Sequence, residues 1–147
     1  MGSLLTFVNA VADRVAEAAP RVKVGTLAYT YSRTPPGTIT PRPNVQIQLC
    51  SLEASVTKPI ADPTSQRNTA FREDLQAWGR VCNDICVWYY NVNFYDYHLP
   101  NPNLRVIGPN LRFFVANNVR GVYMQAAYTS LGTEFSDLRN YVTNRLL

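Results

Sequence analysis

A single histidine, His98, stands in 147 residues. That scarcity removes a class of chemistry: no multi-histidine metal centre can be assembled, and any imidazole acid or base must be this one. Cysteine is almost as sparse. Cys50, Cys82 and Cys86 are odd in number, and three residues separate the last two where a redox or zinc pair has two. The seven glycines are dispersed and form no phosphate-cradling loop. Charge runs are also missing. Lys and Arg outnumber Asp and Glu by 14 to 10, for a net charge of +4, but they are scattered singly and form no stripe that could track a phosphate backbone. Neither nucleic acid nor a membrane is expected as a partner, since no segment has the apolar length of a membrane span. The opening MGSLLTF lacks the charged-then-apolar order of a signal peptide. The sequence therefore reads as that of a soluble protein with reduced cysteines, leaderless as it stands, with its compartment unspecified.

What is present is a globular composition, 46% hydrophobic and 16% charged, in a length that makes one domain of residues 1–147. Ser3 to Ala19 sets Leu4, Val8, Val11, Val15 and Ala18 at spacings of three and four, which predicts a helix capped by Ser3 and ended by Pro20. Val22 to Tyr31 reads as a strand, and the proline-rich loop of Arg33 to Pro43 forbids a helix after it. Asn44 to Glu53 alternates Val45, Ile47 and Leu49 with Gln46, Gln48 and Cys50, a period of two with no charge on either face. Such a strand is expected to be parallel and covered on both sides.

A helix over Thr69 to Val81 follows, with Phe71, Leu75 and Trp78 on one side. Then come a strand over Ile85 to Phe94 and a helix carrying Leu104, Ile107, Leu111, Phe114 and Val115. A strand over Val119 to Tyr128 and a closing helix with Phe135, Leu138, Tyr141, Val142 and Leu146 complete the chain. The order helix, strand, strand, helix, strand, helix, strand, helix predicts an α/β fold with four parallel strands joined by right-handed crossovers. Four strands in this length are half of a (β/α)8 barrel. Half a barrel has two open edges, so the chain is expected to close an eight-stranded ring as a homodimer. A small open sheet closed by its own helices is the competing topology.

Functional residues of parallel α/β folds gather at the C-terminal ends of strands. Glu53 ends the second strand and is the first candidate acid or base, against the reading of a solvated loop residue or salt-bridge partner. Asp96 lies just beyond the next strand, where it and Glu53 would flank one mouth. Trp88, Tyr89, Tyr90, Phe94, Tyr95 and Tyr97 crowd that strand and its loop; sugar rings stack on such side chains, while core packing also uses them. Alternation leaves open whether Trp88 and Tyr90 or Tyr89 and Asn91 face the site. His98 follows the same strand as a candidate helper to Glu53. Cys50 is a candidate nucleophile with His98 as base, or a small buried hydrophobe. Gln125 and Tyr128, at the end of the last strand, are candidate ligand contacts or interface residues.

The segments TLAYTYSRTPP, LCSLE, WYYNVNFYDYHLPNPN, NLRFF, RGVYMQAAY and EFSDLRNYV, in that order, cover nearly the whole chain. Together they resemble the C-terminal half of the catalytic barrel domain of bacterial glycoside-hydrolase-like proteins, a group that includes endo-β-N-acetylglucosaminidases acting on complex N-glycans. The resemblance implies that the four strands are the fifth to eighth of a barrel, and that a glycoside is the ligand. It also shows departures. Tyr89 and Met124 stand where that family carries acidic residues, and its Ser-Pro-Asn-Asp type motif is not found in the sequence.

Two functions from different classes follow. One is a hydrolase needing neither metal nor organic cofactor, acting on a glycoside or promiscuously on an ester or phosphoester. In it Glu53 and His98 are catalytic and Trp88, Tyr90, Asp96, Gln125 and Tyr128 contact substrate. The other is a non-catalytic carbohydrate-binding or assembly module that has lost its acidic residues.

Overall fold

The computed structural model describes residues 1–147. Its elements are α1 (Gly2–Ala18), β1 (Val24–Ala28), β2 (Val45–Cys50), α2 (Gln66–Val81), β3 (Ile85–Tyr90), α3 (Leu104–Val115), β4 (Val119–Gln125) and α4 (Ser136–Leu146), with a 3-10 turn at Thr30–Ser32. Helix and strand follow in the expected order. All four strands are parallel and lie side by side in chain order in one sheet flanked by helices. The sheet is not closed: β1 and β4 each keep one unpaired edge.

Crossovers that are right-handed and always step the same way put their helices on one side of the sheet. Val45, Ile47 and Leu49 of β2 and Ile85, Val87 and Tyr89 of β3 face that side, and they form the core with Phe71, Leu75 and Trp78 of α2 and Ile107, Leu111 and Phe114 of α3. The opposite face carries no helix. Register places Leu27, Gln48 and Cys86 there, then Cys50, Trp88 and Tyr123, then Tyr90 and Gln125. The strands are thus covered on one side only, which corrects the expectation of two covered faces. The parity left open by alternation is also resolved: Tyr89 points into the core, while Trp88 and Tyr90 stand on the uncovered face.

No helix joins β1 to β2, and α1 fills the vacancy by packing on both strands. The proline-rich loop is sewn to it. The Asn9 side chain donates to the Thr40 carbonyl (2.9 Å) and accepts from the Arg42 amide (3.0 Å), Asn44 donates to the Ala12 carbonyl (2.9 Å), and Arg42 pairs with Asp13. These bonds turn α1 away from the face its apolar spacing suggests: Leu5, Val8, Asn9 and Ala12 are buried, and Val11 is exposed. The helix begins at Gly2 with Met1 as its N-cap, so Ser3 is not the cap.

The strands stop sooner than expected because local polar bonds end them. After Ala28 the Ser32 hydroxyl donates to the Tyr29 carbonyl and accepts from the Tyr29 amide, closing the 3-10 turn. After β3, Asn93 accepts from the Tyr95 amide (3.0 Å), a turn that leaves Phe94 outside the strand. Glu53 and Tyr128 each lie three residues beyond their strands. Helix α4 shows the largest departure. Of its expected apolar face only Val142 packs on the core, while Leu138, Tyr141 and Leu146 are exposed. Arg139 turns inward instead, bonded to Glu134 and to the Asn103 side chain at the start of α3.

Candidate functional site

The loops after β2 and β3 enclose a cleft of about 570 Å³ at the C-terminal ends of those strands. Their position is set by buried polar anchors. The Ser51 amide and hydroxyl both donate to the Trp88 carbonyl, tying the start of the first loop to β3. Asn68, fully buried on α2, accepts from the Ser55 amide (2.7 Å) and donates to the Lys58 and Pro59 carbonyls, so the loop is pinned at its middle. A buried side chain with all its hydrogen bonds made fixes backbone geometry more sharply than apolar contact does.

Glu53, Arg67, Tyr90, Asn93, Phe94 and Tyr95 line this cleft together with Val92 and Asn101. Glu53 is the only carboxylate among the lining residues. Its side chain is 43% exposed and ion-paired with Arg33. Arg33 is itself built into the fold: its Nε donates to Asp74 of α2 (2.6 Å), its guanidinium lies 5.9 Å from the centroid of the Phe71 ring, and its carbonyl accepts from Trp78 Nε1 (2.6 Å). Arg67 donates to the Glu53 carbonyl (2.7 Å), which holds the backbone at the same point. The carboxylate is thus oriented by the Arg33 guanidinium and its backbone by Arg67, an arrangement that presents Glu53 to the cleft as a fixed hydrogen-bond acceptor.

The remaining sequence candidates fall outside the cleft lining. Asp96 and His98 sit on the exposed loop after β3, where Asp96 accepts from the His98 amide (2.9 Å). Trp88 stands on the uncovered face, donating through Nε1 to Gln125 (2.5 Å) and meeting Tyr123 edge to face at 4.7 Å. From Tyr90 a chain of edge-to-face contacts climbs to the rim, to Phe94 at 5.7 Å, Tyr97 at 5.8 Å and Tyr128 at 6.0 Å. Cys50 is buried, and burial pushes its thiol up to about 11 against the help of a hydrogen bond with Tyr90. Burial likewise pushes the Tyr90 phenol up to about 12. A thiol held there is protonated near neutral pH and behaves as a small hydrophobe rather than a nucleophile. No three His, Cys, Asp or Glu side chains stand together as a metal site would require, and no helix is long and apolar enough to cross a membrane.

The family model described as a domain of unknown function, DUF4838, matches residues 1–147. The chain belongs to the DUF4838 family. No curated protein and no solved structure matches it.

The DUF4838 chain brings Glu53 and Tyr90 together in one cleft, and Trp88 and Gln125 together on the adjoining face. Sequence reasoning missed Arg33, Arg67, Asn93 and Asn101. Arg33 carried a faint signal, as a lone cation just past the end of the first strand and so at the same end of the sheet as Glu53. Asn101 carried none. It is buried against the cleft and its amide nitrogen has no hydrogen-bond partner, a feature visible only in three dimensions.

Proposed function

We propose that this chain is a glycan-binding half-barrel whose cleft at the ends of β2 and β3 receives a sugar ring. The observation that carries the reading is a cleft walled by Tyr90, Phe94 and Tyr95 around one oriented carboxylate, Glu53. Sugar rings offer apolar faces to aromatic side chains and hydroxyls to acceptors, and both are present here at the end of the sheet where parallel α/β folds bind ligands. The segments that resemble the barrel of glycoside-hydrolase-like proteins support the same ligand class. On this reading the sheet is four strands of an eight-stranded barrel, completed by a second copy of the chain, and Trp88, Gln125 and Tyr128 belong to its interior and rim.

Binding is preferred to hydrolysis on chemical grounds. A glycosidase needs a proton donor and a second carboxylate about 5–9.5 Å away. Glu53 is paired with a guanidinium, and no other carboxylate lines the cleft. Hydrolysis of a glycoside, or of an ester or phosphoester, is the second reading, favoured by the arrival of Glu53 in the cleft from the end of β2.

Calorimetric titration with a biantennary complex N-glycan, beside chromogenic glycosides and esters, tests both. Tyr95 is 99% exposed and contributes nothing to the core, so Tyr95→Ala should weaken binding about tenfold without loss of stability. Glu53→Gln should weaken binding and leave no turnover to lose. Turnover by the wild type that vanishes in Glu53→Gln would establish the hydrolase instead.

A further inference from the structure

Each copy carries one helix too many on one edge and one too few on the other. Helix α1 packs over β1 and β2, α2 and α3 follow the crossovers beside it, and α4 packs on α3 beyond the last strand. Helix α4 therefore lies beside the unpaired edge of β4 with Leu138, Tyr141 and Leu146 exposed, while the outer edge of β1 has no helix of its own. The uncovered sheet face leaves Leu27 45% and Tyr123 50% exposed, between strands that end in free parallel edges.

The surface area gives the size of what is missing. A compact monomer of 16.6 kDa should expose roughly 7,600 Å² on the scaling of area with mass. The chain exposes 8724 Å². The excess of about 1,100 Å² is what one partner contributes to an obligate interface of somewhat over 2,000 Å² in total.

Resting on the reading of the sheet as half a barrel, we infer that the occupant of this face is a second copy, joined through β4 of one chain and β1 of the other, and that the seam completes the binding mouth in trans. A two-fold axis along the barrel keeps all eight strands parallel, pairs both free edges at once and lays each α4 over the seam that lacks a helix. The topology then sets the loop after β1 of one copy beside the loop after β4 of the other. Tyr31, which is 90% exposed, comes to the end of the aromatic chain that Tyr90, Phe94, Tyr97 and Tyr128 already form. The partner's Tyr31 thus extends the sugar-stacking rim, and each mouth is built from two chains.

Light scattering and cross-linking test this without any glycan. Wild type should have a mass of about 33 kDa, twice 16.6 kDa. Leu27→Asp, which places a charge on the uncovered face and outside the core, should give 16.6 kDa with an unchanged circular dichroism spectrum. The double variant Tyr31→Cys/Tyr128→Cys, treated with a short bismaleimide, should run as a covalent dimer. Either single variant should stay monomeric on a denaturing gel, because like residues sit on opposite sides of the ring. A monomeric wild type overturns the inference, and so does a dimer that single variants cross-link as well as the double does. Cross-linking as expected without glycan binding overturns only the proposed function, and glycan binding by a monomer overturns only the dimer.

Discussion

Replacing Arg33 with methionine should unfold the chain more readily while leaving a foldable protein. The methionine keeps an apolar stem against Phe71 and removes the charge that Asp74 and Glu53 share. The two carboxylates differ in consequence. Asp74 is 10% exposed and loses its guanidinium partner, and stranding one member of a buried pair costs about 3–5 kcal/mol. Glu53 is exposed enough for water to take over, so its share is at most about 1 kcal/mol. A loss of about 3–6 kcal/mol is expected, a large part of the 5–15 kcal/mol typical of a domain, and on the order of 10 °C or more in Tm. Urea unfolding followed by tryptophan fluorescence reads it directly, since Trp78 bonds to the Arg33 carbonyl. The double variant Arg33→Met/Asp74→Asn removes the stranded charge, so its cost should fall about 1–3 kcal/mol short of the sum of the single costs. A cost for Arg33→Met within about 0.5 kcal/mol of zero, or strict additivity in the cycle, would refute the view that Arg33 is the joint between site and core.

Two other perturbations bear on the same structure. At Gly79 an added Cβ would come 2.9 Å from the Asn117 carbonyl, so Gly79→Ala should destabilise by about 1–2 kcal/mol in spite of the helix propensity it adds; a gain of about 1 kcal/mol, as propensity alone predicts, would contradict the close packing of α2 on the α3–β4 turn. The Cys50 thiol, raised to about 11, should react with iodoacetamide at pH 8 roughly 100-fold more slowly in the native protein than in denaturant, where the ordinary value near 9 returns. The sign for stability follows from the same shift: the folded state holds the proton that the unfolded state releases, so stability is full below the unfolded value and declines as pH rises from about 9 towards 11. Mass spectrometry of the Cys50 peptide, with thermal melts between pH 8 and pH 11, checks both.

The elements that local periodicity governs were legible in the sequence. Val45, Ile47 and Leu49 announce a strand, Phe71, Leu75 and Trp78 a helix face, and the alternation of strand with helix a parallel sheet. Failures arose where a distant partner overrode the local pattern. Asn9 is buried because the loop at Thr40 and Arg42 bonds to it, and that rotates α1 off its apolar stripe. Helix α4 leaves Leu138, Tyr141 and Leu146 exposed because the polar Arg139 takes the inward position, drawn to its partners Glu134 and Asn103. Sequence placed Glu53 at a strand end and left only a faint trace of Arg33, whose bond to Asp74 spans 41 positions. His98 and Asp96 were drawn to the site by proximity in sequence, and a tight turn carries them past it. Parity along β3 awaited the register, which alone decides that Trp88 and Tyr90 share a face with Gln125.

The most direct test of a glycan site between β2 and β3 is a titration of the isotope-labelled chain with a biantennary complex N-glycan, followed residue by residue by NMR. The account predicts saturable shifts concentrated at Ser51 to Val56, Asn93 to Tyr95 and Asn101, with the N-terminal ends of the strands undisturbed. Shifts that are absent, or that gather at the opposite end of the sheet around Lys23, Asp84 and Arg120, would contradict it.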